Sequence, residues 1–175
     1  MLPSLQADPR VLAIGEQLVQ LGQRLMVIEA GAGGHLQARL NLAPGASRWY
    51  LGGVVGYDDS IKTGMLGLDP QVLRLHGAVS PHSVAALARC GLQRSTADWV
   101  LAESGVYGPA GGSPEKPVGL VYLHVVQADG ESWSRRLDLT GSRLELREQV
   151  ADQALDLLQT ALRSRDALGA AANLE

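Results

Sequence analysis

Apolar residues recur at two different periods along this chain, and the switches between them outline its elements. Asp8-Pro9 reads as an N-cap followed by a first-turn proline, and Val11, Ile14, Leu18 and Leu21 follow at helical spacing. The run Leu25-Met-Val-Ile-Glu29 is short and almost wholly apolar, which suits a buried strand. A glycine-rich turn, Gly31-Ala-Gly-Gly34, leads into a second helix predicted from about His35 to Leu42, stopped by Pro44-Gly45. Residues 49–57, Trp-Tyr-Leu-Gly-Gly-Val-Val-Gly-Tyr, read as a strand whose internal glycines imply a bulge or a close backbone approach. Helices are expected over 58–66, over 69–75, and from the Ser80-Pro81 cap to about Cys90.

The second half adds a strand from Trp99 to Ala102 that enters another glycine-rich loop at 105–113. Residues 118–127 and 132–139 alternate well enough to pair as a hairpin across Ala128-Asp-Gly130. A last helix is predicted from about Ser142 to Arg163, with Leu144, Val150, Leu155, Leu158 and Leu162 on one face. The tail from Gly169 is expected to fray, and its final Leu174-Glu175 reads as a cloning remnant. Alternating helices and strands, closed by a hairpin and a long helix, give an α/β fold: a single-domain three-layer sandwich over 1–175, with a mixed sheet and helices on both faces.

Composition narrows the picture. The chain has no Phe, so its core must be built from Leu, Val, Ile and Ala. With 15 basic and 18 acidic residues there is no basic stripe, and no nucleic-acid partner is expected. No apolar run approaches the roughly 20 residues that span a bilayer, and the N-terminus lacks the pattern of a signal peptide, so a cytoplasmic protein without a membrane partner is expected. The single Cys90 cannot form an internal disulfide and reads as buried filler on a helix face. His35, His76, His82 and His124 show no metal-ligand spacing, so neither a metal nor another cofactor is implied.

Three stretches carry candidate chemistry. Glu29-Ala-Gly-Ala-Gly-Gly34 lies between a strand and a helix, where backbone N–H groups can meet an anion, although a plain tight connection explains it as well. A dinucleotide fingerprint fails there, because Leu36 stands where its third glycine belongs. In Tyr57-Asp-Asp-Ser-Ile-Lys62, a tyrosine and a lysine beside a hydroxyl could serve acyl transfer as proton relay and base; otherwise this is a solvated helix start. The Gly- and Pro-rich stretch Ser104 to Gly119 specifies a shaped loop, either for binding or for structure.

Taken together these stretches resemble the CinA C-terminal domain family. Pro44-Gly-Ala-Ser47, Gly52-Gly-Val-Val-Gly-Tyr57, Lys62, Leu66-Gly67, Gly77-Ala-Val-Ser80, Gly108-Pro-Ala-Gly-Gly112, Lys116-Pro-Val-Gly119 and Gly141-Ser-Arg143 follow that family's motifs in order, and the resemblance covers residues 10 to 165. The resemblance implies a nicotinamide-mononucleotide amidase fold. A serine after the first strand would attack the carboxamide, giving nicotinic acid mononucleotide and ammonia. Residues at the positions of Lys62 and Tyr57 would activate it and relay the proton, and Ser104 would line the same pocket. Gly31, Gly33, Gly34, Gly105, Gly111 and Arg143 are the expected ligand-binding positions. The resemblance also points to a homodimer or higher homo-oligomer, for which the apolar face of the last helix and the strand at 49–57 are the expected surfaces.

The departures from the family pattern fall in the pocket motifs. The serine position holds Ala30, the next two hold Gly31 and Ala32 in place of Cys and Thr, and Tyr107 stands where the family has an alanine. An alanine side chain has no lone pair with which to attack a carbonyl. Two expectations follow: a non-catalytic relative that keeps a pocket for a pyridine mononucleotide or similar molecule, or acts as an interaction module; or an amidohydrolase rebuilt around Ser104 or a water activated by Lys62. The first needs only the losses already seen in the sequence.

Overall fold

The computed structural model describes residues 7–172, with side chains through Arg165. Helix α1 (Pro9–Leu21) starts as its cap predicts: the Asp8 side chain accepts from the Arg10 N–H, and Pro9 sits in the first turn. Strand β1 (Leu25–Glu29), helix α2 (His35–Asn41) and strand β2 (Tyr50–Val55) form a strand–helix–strand unit whose two strands pair in parallel. Helices α3 (Pro70–His76) and α4 (Pro81–Arg94) follow, each with a proline in its first turn and a side-chain cap, Asp69 for α3 and Ser80 for α4. Strands β3 (Trp99–Gly105), β4 (Leu120–Gln127) and β5 (Ser132–Asp138) complete the sheet, and α5 (Arg143–Ala172) closes the fold.

The five strands lie in the order β2-β1-β3-β4-β5. Strand β1 is parallel to both β2 and β3, while β3–β4 and β4–β5 are antiparallel, so the sheet is mixed. Helices cover both faces, each over its own apolar cluster. Val11, Ile14 and Leu18 of α1 meet Leu36 and Leu40 of α2 and Leu146, Val150, Leu155, Leu158 and Leu162 of α5 on one face. Val84, Leu87 and Ala88 of α4 meet Ile28, Val100 and Ala102 on the other. Acid–arginine pairs stitch the first layer together at its edge: Arg10 and Arg39 share Asp8 and Asp152, linking α1, α2 and α5.

Several expectations need correction. The apolar face of α5 is consumed inside the chain, so it offers no surface to a second copy, and Leu144 is off that face at 64% exposed. Helix α5 also continues through Gly169 to Ala172, beyond the predicted stop; residues 1–6 and 173–175, including the Leu174-Glu175 remnant, lie outside the described residues. Strand β2 is an edge strand, shorter than the predicted 49–57. Its glycines meet both proposed purposes: the β1–β2 register shifts between Leu25 and Met26, and a Cβ on Gly53 would lie 2.3 Å from the Val27 carbonyl oxygen. The helix predicted over 58–66 is instead largely one π-helical turn, Ile61–Met65.

Candidate functional site

Strand β1 leads through α2 to β2 on one side, while β3 pairs with its other side. The strand order therefore reverses between β1 and β3, and in open α/β sheets ligand sites form at the carboxyl ends of strands at such a reversal. Here a cleft of about 270 Å³ opens at that point. It draws on the loop after β1 (Ala30, Gly31), the segment before α3 (Tyr57, Lys62), the turn before α4 (Ala78, Val79), the end of β3 and its loop (Ser104 to Gly108, Ala110, Gly111), and Arg143 at the start of α5. Of the residues singled out in the sequence, Ala30, Gly31, Tyr57, Lys62, Ser104, Gly105, Gly111 and Arg143 meet in this cleft. Gly33 and Gly34 do not line it. Both adopt left-handed backbone conformations, with φ of 67° and 94°, which only glycine accepts without strain. Gly34 heads α2 and donates its N–H to Glu29, and Gly33 faces the Arg147 guanidinium on α5.

Lys62 is not at a solvated helix start. Its side chain is 3% exposed, and Nζ donates to Asp59 Oδ1 at 2.7 Å and to the Tyr57 carbonyl at 3.2 Å. Lys62 lies at the start of the π-helical turn, and its side chain reaches back to the carbonyl of the residue five positions earlier. Tyr57 itself is 60% exposed, and its hydroxyl accepts from Arg143 Nη2 at 3.1 Å. That bond and the guanidinium charge lower the pKa of the phenol. The same guanidinium donates through Nη1 to the Gly108 carbonyl at 2.8 Å, so Arg143 spans two walls of the cleft. Ser104 Oγ gives its proton to the Ala78 carbonyl at 2.9 Å.

Beneath the cleft floor lie two buried carboxylates that face each other across the β1–β3 pair, Glu29 and Glu103. Each clamps part of the loop between β1 and α2. Glu29 accepts from the N–H groups of Gly34, Leu36 and Gln37. Glu103 accepts from Gly31 N at 2.8 Å and Ala32 N at 3.1 Å, and also from the Tyr107 hydroxyl at 3.2 Å. Burial is the main force pushing the Glu103 carboxyl up to about 7; its backbone N–H partners pull the other way, and nearby Glu29 adds to the rise. Burial, then the charge of Glu103, raises the Tyr107 phenol well above its ordinary range. The Tyr107 ring is packed under Gly31 so closely that a Cβ there would lie 2.3 Å from its Cδ2 and Cε2 atoms.

This arrangement matches a known family. Residues 8–162 fit the family model of the CinA C-terminal domain. The chain belongs to that family. A CinA-like protein of Mycobacterium marinum is 41% identical over 140 residues, covering 80% of this chain and 33% of that protein. A CinA-like protein of Desulfotalea psychrophila is 39% identical over 146 residues, covering 83% of this chain and 35% of the other. The chain thus spans about a third of the length of these relatives. Among solved structures, the competence/damage inducible protein CihA from Agrobacterium tumefaciens superposes with a TM-score of 0.82 at 31% identity, covering 91% of this chain and 99% of that one. A CinA superfamily protein from Klebsiella pneumoniae gives 0.84 at 28% identity, covering 89% and 96%.

Within this CinA C-terminal domain, Glu103 is a site residue that the sequence reading passed over. Its signal was a carboxylate at the end of an otherwise apolar run, Trp99-Val-Leu-Ala-Glu103, where a buried charge must find donors. The consequence is a measurable pH dependence. For an acid whose folded pKa of about 7 exceeds its ordinary 4.5, the native state binds the extra proton, so the stabilisation is complete below pH 4.5 and is lost as pH rises through 7. The loss is at most about 3 kcal/mol. Asp8, held down to about 2 chiefly by Arg10, gives the opposite limb, with stability lost as pH falls from 3.8 towards 2. Urea unfolding of wild type and Glu103→Gln between pH 4.5 and 8 is expected to show the downward slope only in wild type. Equal slopes would remove Glu103 as its source.

Proposed function

We propose that this CinA C-terminal domain keeps the family's ligand pocket but has lost amidase turnover, so that it holds a pyridine mononucleotide or a similar small molecule without hydrolysing it. The observation that carries the reading is the side chain at the loop after β1: Ala30 presents a methyl group to the cleft where the family resemblance requires a nucleophilic oxygen. Loss of a nucleophile generally lowers turnover on the order of a millionfold. Ser104 is a poor substitute, because its proton is directed to the Ala78 carbonyl, which cannot accept it as a base. Lys62 Nζ is engaged as a donor to Asp59 and to the Tyr57 carbonyl, an arrangement that holds a cation in place and does not present a base to a water. No observation favours a rebuilt hydrolase over loss.

The test separates binding from chemistry. Purified protein mixed with nicotinamide mononucleotide is expected to give heat of binding by calorimetry and no ammonia above a buffer blank. Ammonia release abolished by Ser104→Ala or Lys62→Ala would establish the rebuilt hydrolase instead. Release that survives both changes would mark a contaminating enzyme.

A further inference from the structure

The chain's charge is unevenly spread. It carries −3 overall, yet residues 70–97, which hold α3 and α4, contain Arg74, Arg89 and Arg94 and no Asp or Glu. Where these two helices meet, a groove of about 320 Å³ opens, and it shares no lining residue with the cleft. Grooves of that size are large enough to hold a small organic molecule. Its walls divide by chemistry. Val72 of α3 and Ala85 and Ala86 of α4 supply apolar surface, while His76, His82 and Arg89 supply nitrogen. The two imidazoles stack on each other, with ring centroids 4.0 Å apart and planes 13° from parallel.

The three polar side chains of the groove are not spent on the protein. Among the described residues, neither imidazole nor the Arg89 guanidinium has a hydrogen-bond partner, and no carboxylate pairs with any of them. Cys90 and His124 lie within the field of Arg89, but burial pushes that thiol up and that imidazole down, so neither offers it a negative charge. The acids that flank this span are engaged elsewhere: Asp69 caps the far end of α3, and Asp98 accepts from the Arg24 N–H. Lys116 adds a cation beside the groove, its Nζ donating to the His76 carbonyl at 3.0 Å, while its neighbour Glu115 accepts from the Ser113 hydroxyl. A metal cation would find no carboxylate here and would be repelled by Arg89 and Lys116. A bare inorganic anion would leave the apolar wall wet. A guanidinium matches a carboxylate with two parallel bonds, and an apolar body covers the remaining surface. We infer that the α3–α4 groove is a second binding site, independent of the cleft, for an organic carboxylate with an apolar body. The carboxylate sits at Arg89 and the imidazole pair, and the body lies on Val72, Ala85 and Ala86.

Benzoate, benzyl alcohol and acetate, titrated at constant ionic strength into the isotope-labelled chain, separate the charge from the body. NMR shifts at His76, His82, Ala85 and Ala86 locate the binding. Benzoate is expected to shift these signals and to bind at least threefold more tightly than either benzyl alcohol or acetate, about what one exposed charged contact supplies. Arg89→Gln, a change at an exposed side chain, is expected to bring benzoate down to the level of benzyl alcohol. Ala86→Leu, which fills the groove and leaves the charges in place, is expected to bring it down to the level of acetate. Unchanged spectra away from the groove report that both variants stay folded. Shifts confined to the cleft residues Tyr57, Lys62 and Ser104, no shift at all, or equal binding of the three probes would each overturn the site. Benzoate affinity unmoved by Arg89→Gln would overturn the recognition of charge, and affinity unmoved by Ala86→Leu would overturn the placement in the groove.

Discussion

Tyr107→Ala is expected to destabilise the domain by about 3–5 kcal/mol, Gly31→Ala by about 1–3 kcal/mol, and the two together by clearly less than their sum. Tyr107 is a buried aromatic ring whose hydroxyl also donates to Glu103, so truncation leaves a void and one fewer donor for that carboxylate. A methyl on Gly31 would occupy the ring's own volume, at 2.3 Å from Cδ2 and Cε2. The two residues form one packing unit: the ring fits because position 31 lacks a Cβ, and a Cβ fits when the ring is gone. Rescue stays partial, because the same Cβ would also lie 2.9 Å from the Gly105 carbonyl oxygen, which does not move with Tyr107. A double-mutant cycle by urea denaturation gives the coupling, expected on the order of 2 kcal/mol. Additivity within about 0.5 kcal/mol would show that the two positions do not share space in solution.

That packing unit marks the boundary of what the sequence could yield. The elements were legible because each was announced locally. Asp8-Pro9 and Ser80-Pro81 cap α1 and α4, an apolar run makes β1, and alternation across Ala128-Asp-Gly130 makes the β4–β5 hairpin. Much of the cleft was legible too, since its lining comes from short motifs that occur in order. The reason for Gly31 was not. Read alone, a glycine in a glycine-rich turn suggests a looser turn, yet Gly31 is absent from the left-handed positions in which only its neighbours Gly33 and Gly34 of that turn fall. It is glycine because a ring from the loop after β3 fills its side-chain space, and no local period encodes a contact of that kind.

Glu103 and α5 show the same limit from two other sides. A carboxylate at a strand's end reads as the place where the chain reaches water. The structure buries it because the adjacent loop has N–H groups that need an acceptor, which only the pairing of β1 with β3 brings within reach. For α5, the apolar period correctly gave a helix with one buried face, but a period cannot say whether that face meets the same chain or another. Here it meets α1, α2 and the sheet, which removes the argument for self-association that rested on it. Leu144 was misassigned to that face because it precedes the first buried turn at Leu146.

Ala30→Ser alone is expected to leave turnover of nicotinamide mononucleotide at least a hundredfold below that of the combined variant carrying Ala30→Ser, Gly31→Cys, Ala32→Thr and Tyr107→Ala. A serine placed at position 30 would face the cleft that also holds Lys62 and Tyr57, so the atom itself can be supplied. Its position cannot be supplied by one substitution. The following two residues are clamped from below, with the N–H groups of Gly31 and Ala32 both committed to Glu103, and Tyr107 fixes how low the loop sits over the sheet. A loop pitched for a glycine over a tyrosine ring will not hold the hydroxyl as a loop pitched for a cysteine over an alanine does, and displacement near 1 Å costs roughly a hundredfold in rate. The combined variant removes the ring and restores bulk at position 31, so part of the void left by Tyr107→Ala is filled, and it should fold more stably than that single change. In that variant Glu103 would keep its backbone partners but lose the Tyr107 hydroxyl. Turnover of the single and combined variants, measured as ammonia release in parallel with their urea midpoints, decides the matter. Were the single change to match the combined one, the loop would already be pitched for catalysis, and position 30 would be the only thing this domain had lost.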